Sequence, residues 1–147
     1  MIDHIWSILC SNTAIDYETN SVSIFNVIEQ ITISADAQLE IQLPISFELI
    51  SLWSRSDEKH PCKGRMRAVF CNHNGDRKDQ AELDIDLGNV LFFRTRIKMN
   101  GIDLHGAGIY KFLIELQQED ENEWEQVSVQ PVSVIFKSSD SRILPQK

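Results

Sequence analysis

The sequence predicts an all-β fold of about eight antiparallel strands with at most one short helical turn. Apolar and polar residues alternate in most of the ordered stretches, and strand side chains point alternately to opposite faces, so each stretch is typical of a half-buried strand. Turn-forming residues recur at short intervals between these stretches, and no long helical pattern occurs. Regularly spaced short strands of this kind indicate two antiparallel sheets packed as a β-sandwich.

The first strand is predicted over residues 3–11, followed by a polar turn at residues 16–20. The stretch over residues 22–33 is open to two interpretations. Val22 and Ile24 alternate as in a strand, yet Ile24, Val27 and Ile28 also have helical spacing. We expect a strand that runs into a short helical turn.

Two clear strands follow at residues 44–55 and 65–73, separated by a polar loop that contains Pro61. In the first of them, alternation places four apolar side chains on one face. These are Ile45, Phe47, Leu49 and Trp53. In the second, the inward face carries Met66, Ala68 and Phe70.

The next two predicted strands have complementary charges. Residues 81–87 place three carboxylates on one face, and residues 93–99 place three cations on one face. If the two form a hairpin, a single register pairs Glu82 with Lys98 and Asp84 with Arg96. The alternative is that residues 88–92 cross from one sheet to the other, which would make the cationic strand available to an acidic partner.

The last two strands are predicted over residues 108–116 and 124–137, and Pro131 indicates an edge position or a bulge in the second. Tyr110 follows a glycine-rich stretch. In immunoglobulin-like and fibronectin-like domains a tyrosine at the corresponding position forms a hydrogen bond from its hydroxyl to the backbone of the preceding loop. A half-buried strand aromatic is the other interpretation of Tyr110. We therefore expect one immunoglobulin-like or fibronectin-like sandwich domain over residues 1–137 and a polar tail over residues 138–147.

Charge and cysteine content restrict the classes of partner and compartment. The chain of 147 residues has a formal charge of −8, which disfavours nucleic acids and anionic membranes as partners. No segment is long and apolar enough for a transmembrane helix, and the N-terminus lacks the basic residues of a signal peptide. Three cysteines without disulfide-scaffold spacing predict free thiols and a cytoplasmic protein, and the alternative is an exported protein with one disulfide and one free thiol.

One cluster offers the donors of a zinc site. The candidate ligands are His60, Cys62, Cys71 and His73. Their spacing is not that of zinc ligands, which usually come as Cys-x₂₋₄-Cys and His-x₃₋₅-His, so we expect no metal and no cofactor. The sequence also contains no phosphate loop and no nucleophile elbow. It therefore predicts no catalytic residues and no enzyme.

The N-terminal run from residue 9 to residue 31 resembles the start of a family of small uncharacterised bacterial proteins, and the Gly108-Ile109-Tyr110 stretch resembles their closing strand. The resemblance implies a bacterial β-sandwich and adds no catalytic residue, since the family carries no assigned activity. We expect a non-catalytic module that binds a protein or self-associates through a strand edge. The alternative is a hydrolase or small-ligand-binding protein with a site built from loops at one end of the sandwich.

Overall fold

A computed structural model describes residues 1–34 and 40–137 of the chain. Within these residues the protein has nine strands and no helix, and hence none that could cross a membrane. The strands are β1 (Ile2–Ile15), β2 (Val22–Val27), β3 (Gln30–Ser34), β4 (Glu40–Arg55), β5 (Cys62–Cys71), β6 (Arg77–Leu87), β7 (Phe92–His105), β8 (Gly108–Gln118) and β9 (Glu125–Lys137). The tail predicted over residues 138–147 lies outside the described residues.

The strands form two sheets. Sheet A has the order β2-β1-β4-β7, and sheet B has the order β3-β9-β8-β5-β6. All neighbouring pairs are antiparallel except β3 and β9, which are parallel. The all-β prediction is confirmed, whereas the expectation of antiparallel pairing throughout is wrong at this pair.

The connection between β2 and β3 explains why β3 and β9 are parallel. The helical turn expected within residues 22–33 is absent, since two strands occupy this stretch. Only Ile28 and Glu29 separate β2 from β3, and the Ile28 N–H donates to the Leu9 carbonyl while the Glu29 carbonyl accepts from Ser133. The chain therefore passes from sheet A to sheet B without a reversing turn. Because the chain keeps its direction from β2 to β3, β3 joins sheet B parallel to β9 rather than antiparallel.

Pro131 lies where β9 has only one neighbour. It is opposite Lys111 of β8, and the pairing of β9 with β3 begins two residues later, at Ser133. A proline has no N–H to donate to a second neighbour, so this position is compatible with the ladder. β9 is therefore an edge strand up to Val132 and an interior strand from Ser133 onward.

Both sheets contribute side chains to one hydrophobic core. The inward residues predicted for β4 and β5 are confirmed, since Phe47, Leu49, Trp53, Met66, Ala68 and Phe70 are all buried in it and Ile45 packs against it. The rings of Phe47 from sheet A and Phe112 from sheet B meet at 5.8 Å between centroids. The Trp53 indole N–H donates to the Thr95 hydroxyl at 2.9 Å, so the one polar atom of this buried side chain has a partner.

The acidic and basic strands lie in different sheets, so the predicted hairpin is wrong and the alternative, a crossing, is what the structure shows. β6 pairs with β5 in sheet B, and β7 pairs with β4 in sheet A. The crossing lets both apolar faces enter the core from opposite sides, with Ile85 of β6 and Ile97 of β7 both buried there. A hairpin would have placed both faces on the same sheet.

The carboxylates of β6 find other cations. The β5–β6 register sets Lys63 opposite Asp86, Arg65 opposite Asp84 and Arg67 opposite Glu82. Arg65 also bonds Glu82 diagonally, with 2.6 Å between nitrogen and oxygen. The charge ladder expected between β6 and β7 therefore exists between β6 and β5.

The Tyr110 hydroxyl closes the loop between β7 and β8. It accepts a hydrogen bond from the His105 N–H and donates one to the Gly106 carbonyl, each at 2.8 Å. The side chain is fully buried, and its ring stacks on Phe70. Because burial disfavours the phenolate, the pKa of Tyr110 is raised above its ordinary value.

We predict that Tyr110→Phe lowers the free energy of unfolding by about 1–3 kcal/mol, because the His105 N–H and the Gly106 carbonyl lose their partner. Urea denaturation followed by tryptophan fluorescence measures the change. Tyr17→Phe is the matched control. Because Tyr17 is fully exposed, this variant should have the same free energy of unfolding as the wild type. Equal midpoints for the two variants would contradict a role for the hydroxyl.

A second prediction concerns His4, whose ring packs edge-on against Trp53 and whose Nε2 lies 2.7 Å from the Ser7 hydroxyl. Burial lowers the pKa of His4, so between the folded and unfolded values the unfolded chain binds more protons. The contribution of this histidine to stability is therefore present above its unfolded pKa and declines as the pH falls below it. We expect His4→Gln to lose less stability than the wild type between about pH 7.5 and about pH 5.5, measured by thermal unfolding. An equal decrease in stability for His4→Gln and the wild type over this pH range would contradict the prediction.

Candidate functional site

The far part of the β1–β2 hairpin contacts side chains of β4 and β7 in sheet A. β1 pairs with β4 only from Ile2 to Cys10, and beyond that point its partner is β2 alone. Asn26 has a positive φ of 52° close to this departure, a backbone conformation that asparagine tolerates. We call residues 11–27 the β1–β2 arm.

Two contacts hold the β1–β2 arm against sheet A. Near its base, the Thr13 hydroxyl donates to a carboxylate oxygen of Glu48 at 2.6 Å and accepts from the Arg96 guanidinium at 3.1 Å. At its tip, the Arg94 guanidinium donates to the Asn20 carbonyl at 2.6 Å. Glu48 is only 4% exposed, so the arm covers this carboxylate.

The cationic side chains of β7 thus bind groups of the same chain. Arg94 and Arg96 bond the β1–β2 arm, and the Lys98 ammonium lies 3.9 Å from Glu48. Charge-assisted hydrogen bonds of this kind are stronger than neutral ones. The cationic strand that the sequence offers to an acidic partner is therefore largely engaged in positioning the arm.

Cys10 is the residue of β1 that immediately precedes the arm, and it is fully buried, opposite Glu48 in the β1–β4 register. Burial, and then the negative charge of Glu48, raises the pKa of the Cys10 thiol. The thiol is consequently less ionised than an exposed cysteine at the same pH. Less thiolate means lower reactivity.

The arm ends in a free strand edge formed by β2. The stretch over residues 19–28 carries no charge and no proline, with Glu18 before it and Glu29 after it. Two of its apolar side chains are exposed, Phe25 by 47% and Val27 by 55%. Among residues 1–34 and 40–137, β2 has β1 as its one neighbour in sheet A, which leaves its other edge open.

The backbone groups directed toward this open edge can be assigned. The Asp16 N–H donates to the Ser21 carbonyl across the hairpin, so Ser21 faces β1. Backbone groups alternate in direction along a strand, so the N–H and carbonyl of Val22 and Ile24 point away from β1. They form the donor and acceptor row that an added strand would use.

Three other strands also have a single neighbour in the described part of the sheets, namely β3, β6 and β7. Natural edges are commonly protected by charged side chains. β6 and β7 are protected in this way, with charges at Arg77, Lys78, Asp79, Glu82, Asp84, Asp86, Arg94, Arg96, Lys98 and Asp103. β3 is uncharged like β2, but it has only five residues and no side chain of it is among the exposed large apolar ones. β2 is therefore the least protected edge of the four.

The candidate metal ligands do not come together. Cys62 and Cys71 are the first and last residues of β5, which separates them by about 30 Å at the rise of a strand. His60 bonds Asp57 in its own loop, and His73 packs near the Tyr110 ring. Among the described residues, no group of three or more His, Cys, Asp or Glu side chains is placed to hold a metal ion.

Cys71 is buried in a small apolar cluster on the outer face of sheet B, together with Val69 and Leu113, against which Val129 packs. Cys10, Cys62 and Cys71 are all unpaired thiols in the structure.

The polar groups on the outer face of sheet B bond one another. The Glu115 carboxylate, 6% exposed, accepts from Arg67 at 3.0 Å and from Arg77 at 2.8 Å. Trp124 lies over Arg67, with 4.4 Å between the guanidinium carbon and the ring centroid. Trp124 therefore covers the neighbouring strand β5.

The surface hollows are open and shallow. A groove of about 700 Å³ at one end of sheet B is lined by Cys71, His73, Ile109, Lys111 and Val129 among others. A second hollow of about 410 Å³ lies between the tip of the β1–β2 arm and the β6–β7 connection, with Asn20, Phe92 and Arg94 in its lining. Cys71, Asn72 and His73 all line the groove, but among the described residues no hydrogen bond joins them, and the Asn72 amide donates to Asp76 instead. No cysteine, serine or histidine of the described residues lines the second hollow. Nothing in the described part of the chain therefore points to catalysis.

Comparison with known proteins does not add a function. The chain matches no protein-family model and no curated protein sequence. The residues described above therefore carry the functional argument.

We predict that the three thiols differ in reactivity. Cys62 is partly exposed, whereas Cys10 and Cys71 are buried. With a thiol-specific reagent at about pH 8, Cys62 should react first and Cys10 only on unfolding, because its raised pKa and its burial both oppose attack. Mass spectrometry of the labelled peptides identifies each site. Rapid labelling of Cys10 in the native protein would contradict its burial.

Proposed function

We propose that this protein is a non-catalytic binding module that accepts an extended segment of another protein as an additional strand along β2. The observation that carries this proposal is the unprotected edge of β2, a strand that is uncharged, free of proline and exposes its own Phe25 and Val27 side chains. Strand addition gains affinity from main-chain hydrogen bonds and specificity from alternate side chains. β2 offers both.

The β1–β2 arm supports this role by preparing the edge in advance. Thr13 fixes the arm to Glu48 and Arg96, and Asn20 fixes its tip to Arg94. A strand that is already ordered loses little conformational freedom when a partner pairs with it. The contacts of β7 therefore favour binding at an edge that they do not themselves touch.

We infer that the two sheets form an immunoglobulin-like or fibronectin-like sandwich. The shared core of sheets A and B and the closure of the β7–β8 loop by Tyr110 support this. The parallel β3–β9 pair is a departure from the purely antiparallel form of that fold. Membership of the small bacterial family, and a reducing cytoplasmic compartment for the three free thiols, remain predictions of the sequence.

A hydrolase or small-ligand-binding protein was the alternative interpretation of the sequence. Such a site needs several titratable groups converging in a deep pocket. The groove lined by Cys71, His73 and Lys111 is open, and among the described residues no hydrogen bond joins these three groups, so the strand-edge proposal has the better support.

The test uses a pair of variants at Val22. Val22→Pro removes an N–H that points to the open edge and leaves the bonds to β1 intact, since proline is tolerated at the first residue of a strand. Val22→Ala keeps the N–H and is the matched control. Peptides selected from a random display library on the wild-type protein should bind Val22→Ala equally and Val22→Pro about tenfold more weakly.

Amide hydrogen exchange gives a second readout of the same experiment. On peptide binding, the amides of Val22 and Ile24 should gain protection, because they become donors to the added strand. Equal binding to Val22→Pro, or protection confined to residues outside β2, would overturn the proposal.

A further inference from the structure

The charges at the two ends of β2 indicate which kind of segment pairs with it, an inference that rests on the function proposed above. Asp16 and Glu18 lie in the turn before β2, and Glu29 follows it. The residues between Glu18 and Glu29 carry no charge. The open edge is therefore a neutral strand with carboxylates at both ends.

These end charges are largely uncompensated. Within residues 1–34 and 40–137, neither Glu18 nor Glu29 has a cationic group within salt-bridge distance, and both residues are exposed. The Arg94 guanidinium is near the arm tip, where it bonds the Asn20 carbonyl. Since the turn carries two carboxylates, Asp16 and Glu18, and only one nearby cation, Arg94, its net charge is negative.

A second copy of the chain is a poor occupant of this edge. Antiparallel pairing of two β2 strands about Ser23 or Ile24 places Glu29 of one copy one residue from the position opposite Glu18 of the other, and a symmetric pair contains this juxtaposition twice. Like charges that approach across a ladder are destabilising, and the formal charge of −8 on each chain adds to the repulsion. Pairing about Val22 separates the two carboxylates by three residues and is opposed by the net charge alone.

We propose that the partner is an extended protein segment with an uncharged, alternately apolar centre of about six residues and Lys or Arg at both ends. Its centre would pair with β2 through Val22 and Ile24 and cover Phe25 and Val27. Its two cationic ends would lie beside Glu18 and Glu29. Opposite charges at the rim of an interface raise the association rate and select the partner.

Three synthetic peptides test the proposal. They share one alternating Thr/Val/Ile core and differ only in their flanks, with two Lys, two Ser or two Glu at each end. Isothermal titration with the wild-type protein should give the affinity order Lys over Ser over Glu, with steps of about three- to tenfold. The preference for the Lys peptide should decrease as salt is raised.

Charge reversal locates the effect. Glu18→Lys/Glu29→Lys should invert the order of the three peptides. Glu121→Lys/Glu123→Lys is the matched control, because it makes the same change in net charge at the exposed β8–β9 turn and should leave the order unchanged. An equal response of both double variants would mean that net charge alone is responsible, which overturns the proposal.

The outcomes separate this inference from the proposed function. If all three peptides bind equally, and bind Val22→Ala but not Val22→Pro, strand addition stands and the basic partner is wrong. If Val22→Pro binds the Lys peptide as well as the wild type does, strand addition itself is wrong. Concentration-dependent dimerisation of the wild type that is lost in Val22→Pro would assign the edge to a second copy and also overturn the inference.

Discussion

The passage of the chain from one sheet to the other between β6 and β7 is the constraint on which the rest of the structure depends. Because of it, the apolar faces of the two strands meet the core from opposite sides, with Ile85 in sheet B and Ile97 in sheet A. It also places the cations of β7 on the outer face of sheet A, away from the carboxylates of β6. There Arg94 and Arg96 hold the β1–β2 arm, and the arm sets the position of the open β2 edge.

Much of the fold was predictable from local pattern. Alternation identified the strands and their inward faces, as Phe47, Met66 and Ile97 show, because burial on one face imposes a period of two regardless of which strands pair. The closure of the β7–β8 loop by Tyr110 was predictable for a similar reason, since its partners at His105 and Gly106 are close in sequence.

Strand pairing was less predictable, because two charge ladders competed for the same carboxylates. Lys63, Arg65 and Arg67 alternate just as Arg94, Arg96 and Lys98 do, and either set could face β6. The turn at residues 72–76 joins β5 to β6 directly and was the signal that favoured the first set. Charge complementarity selects a register once two strands are neighbours, but it contributes too little energy to choose the neighbour.

The candidate site was the least predictable part, since it depends on contacts between distant residues. Nothing local in Thr13 or Glu48 indicates that they meet, and Ser21 to Ser34 gave mixed periodicity because it belongs to two sheets. One signal was available, namely the uncharged stretch between Glu18 and Glu29. It has the composition of an unprotected strand, although its edge position becomes visible only from the sheet order.

The parallel pairing of β3 with β9 has a consequence for how the protein acquires its structure. Gln30 pairs with Ser133, so the first strand of sheet B, β3, cannot dock until β9 has been synthesised. Pairing between such distant residues is slow, because the loop-closure entropy is lost before the contacts form. Until then β3, which is uncharged, lacks its one neighbour in the described part of sheet B. Uncharged, β-branched strands of this kind aggregate readily when they are unpaired, so rapid completion of β9 protects the growing chain.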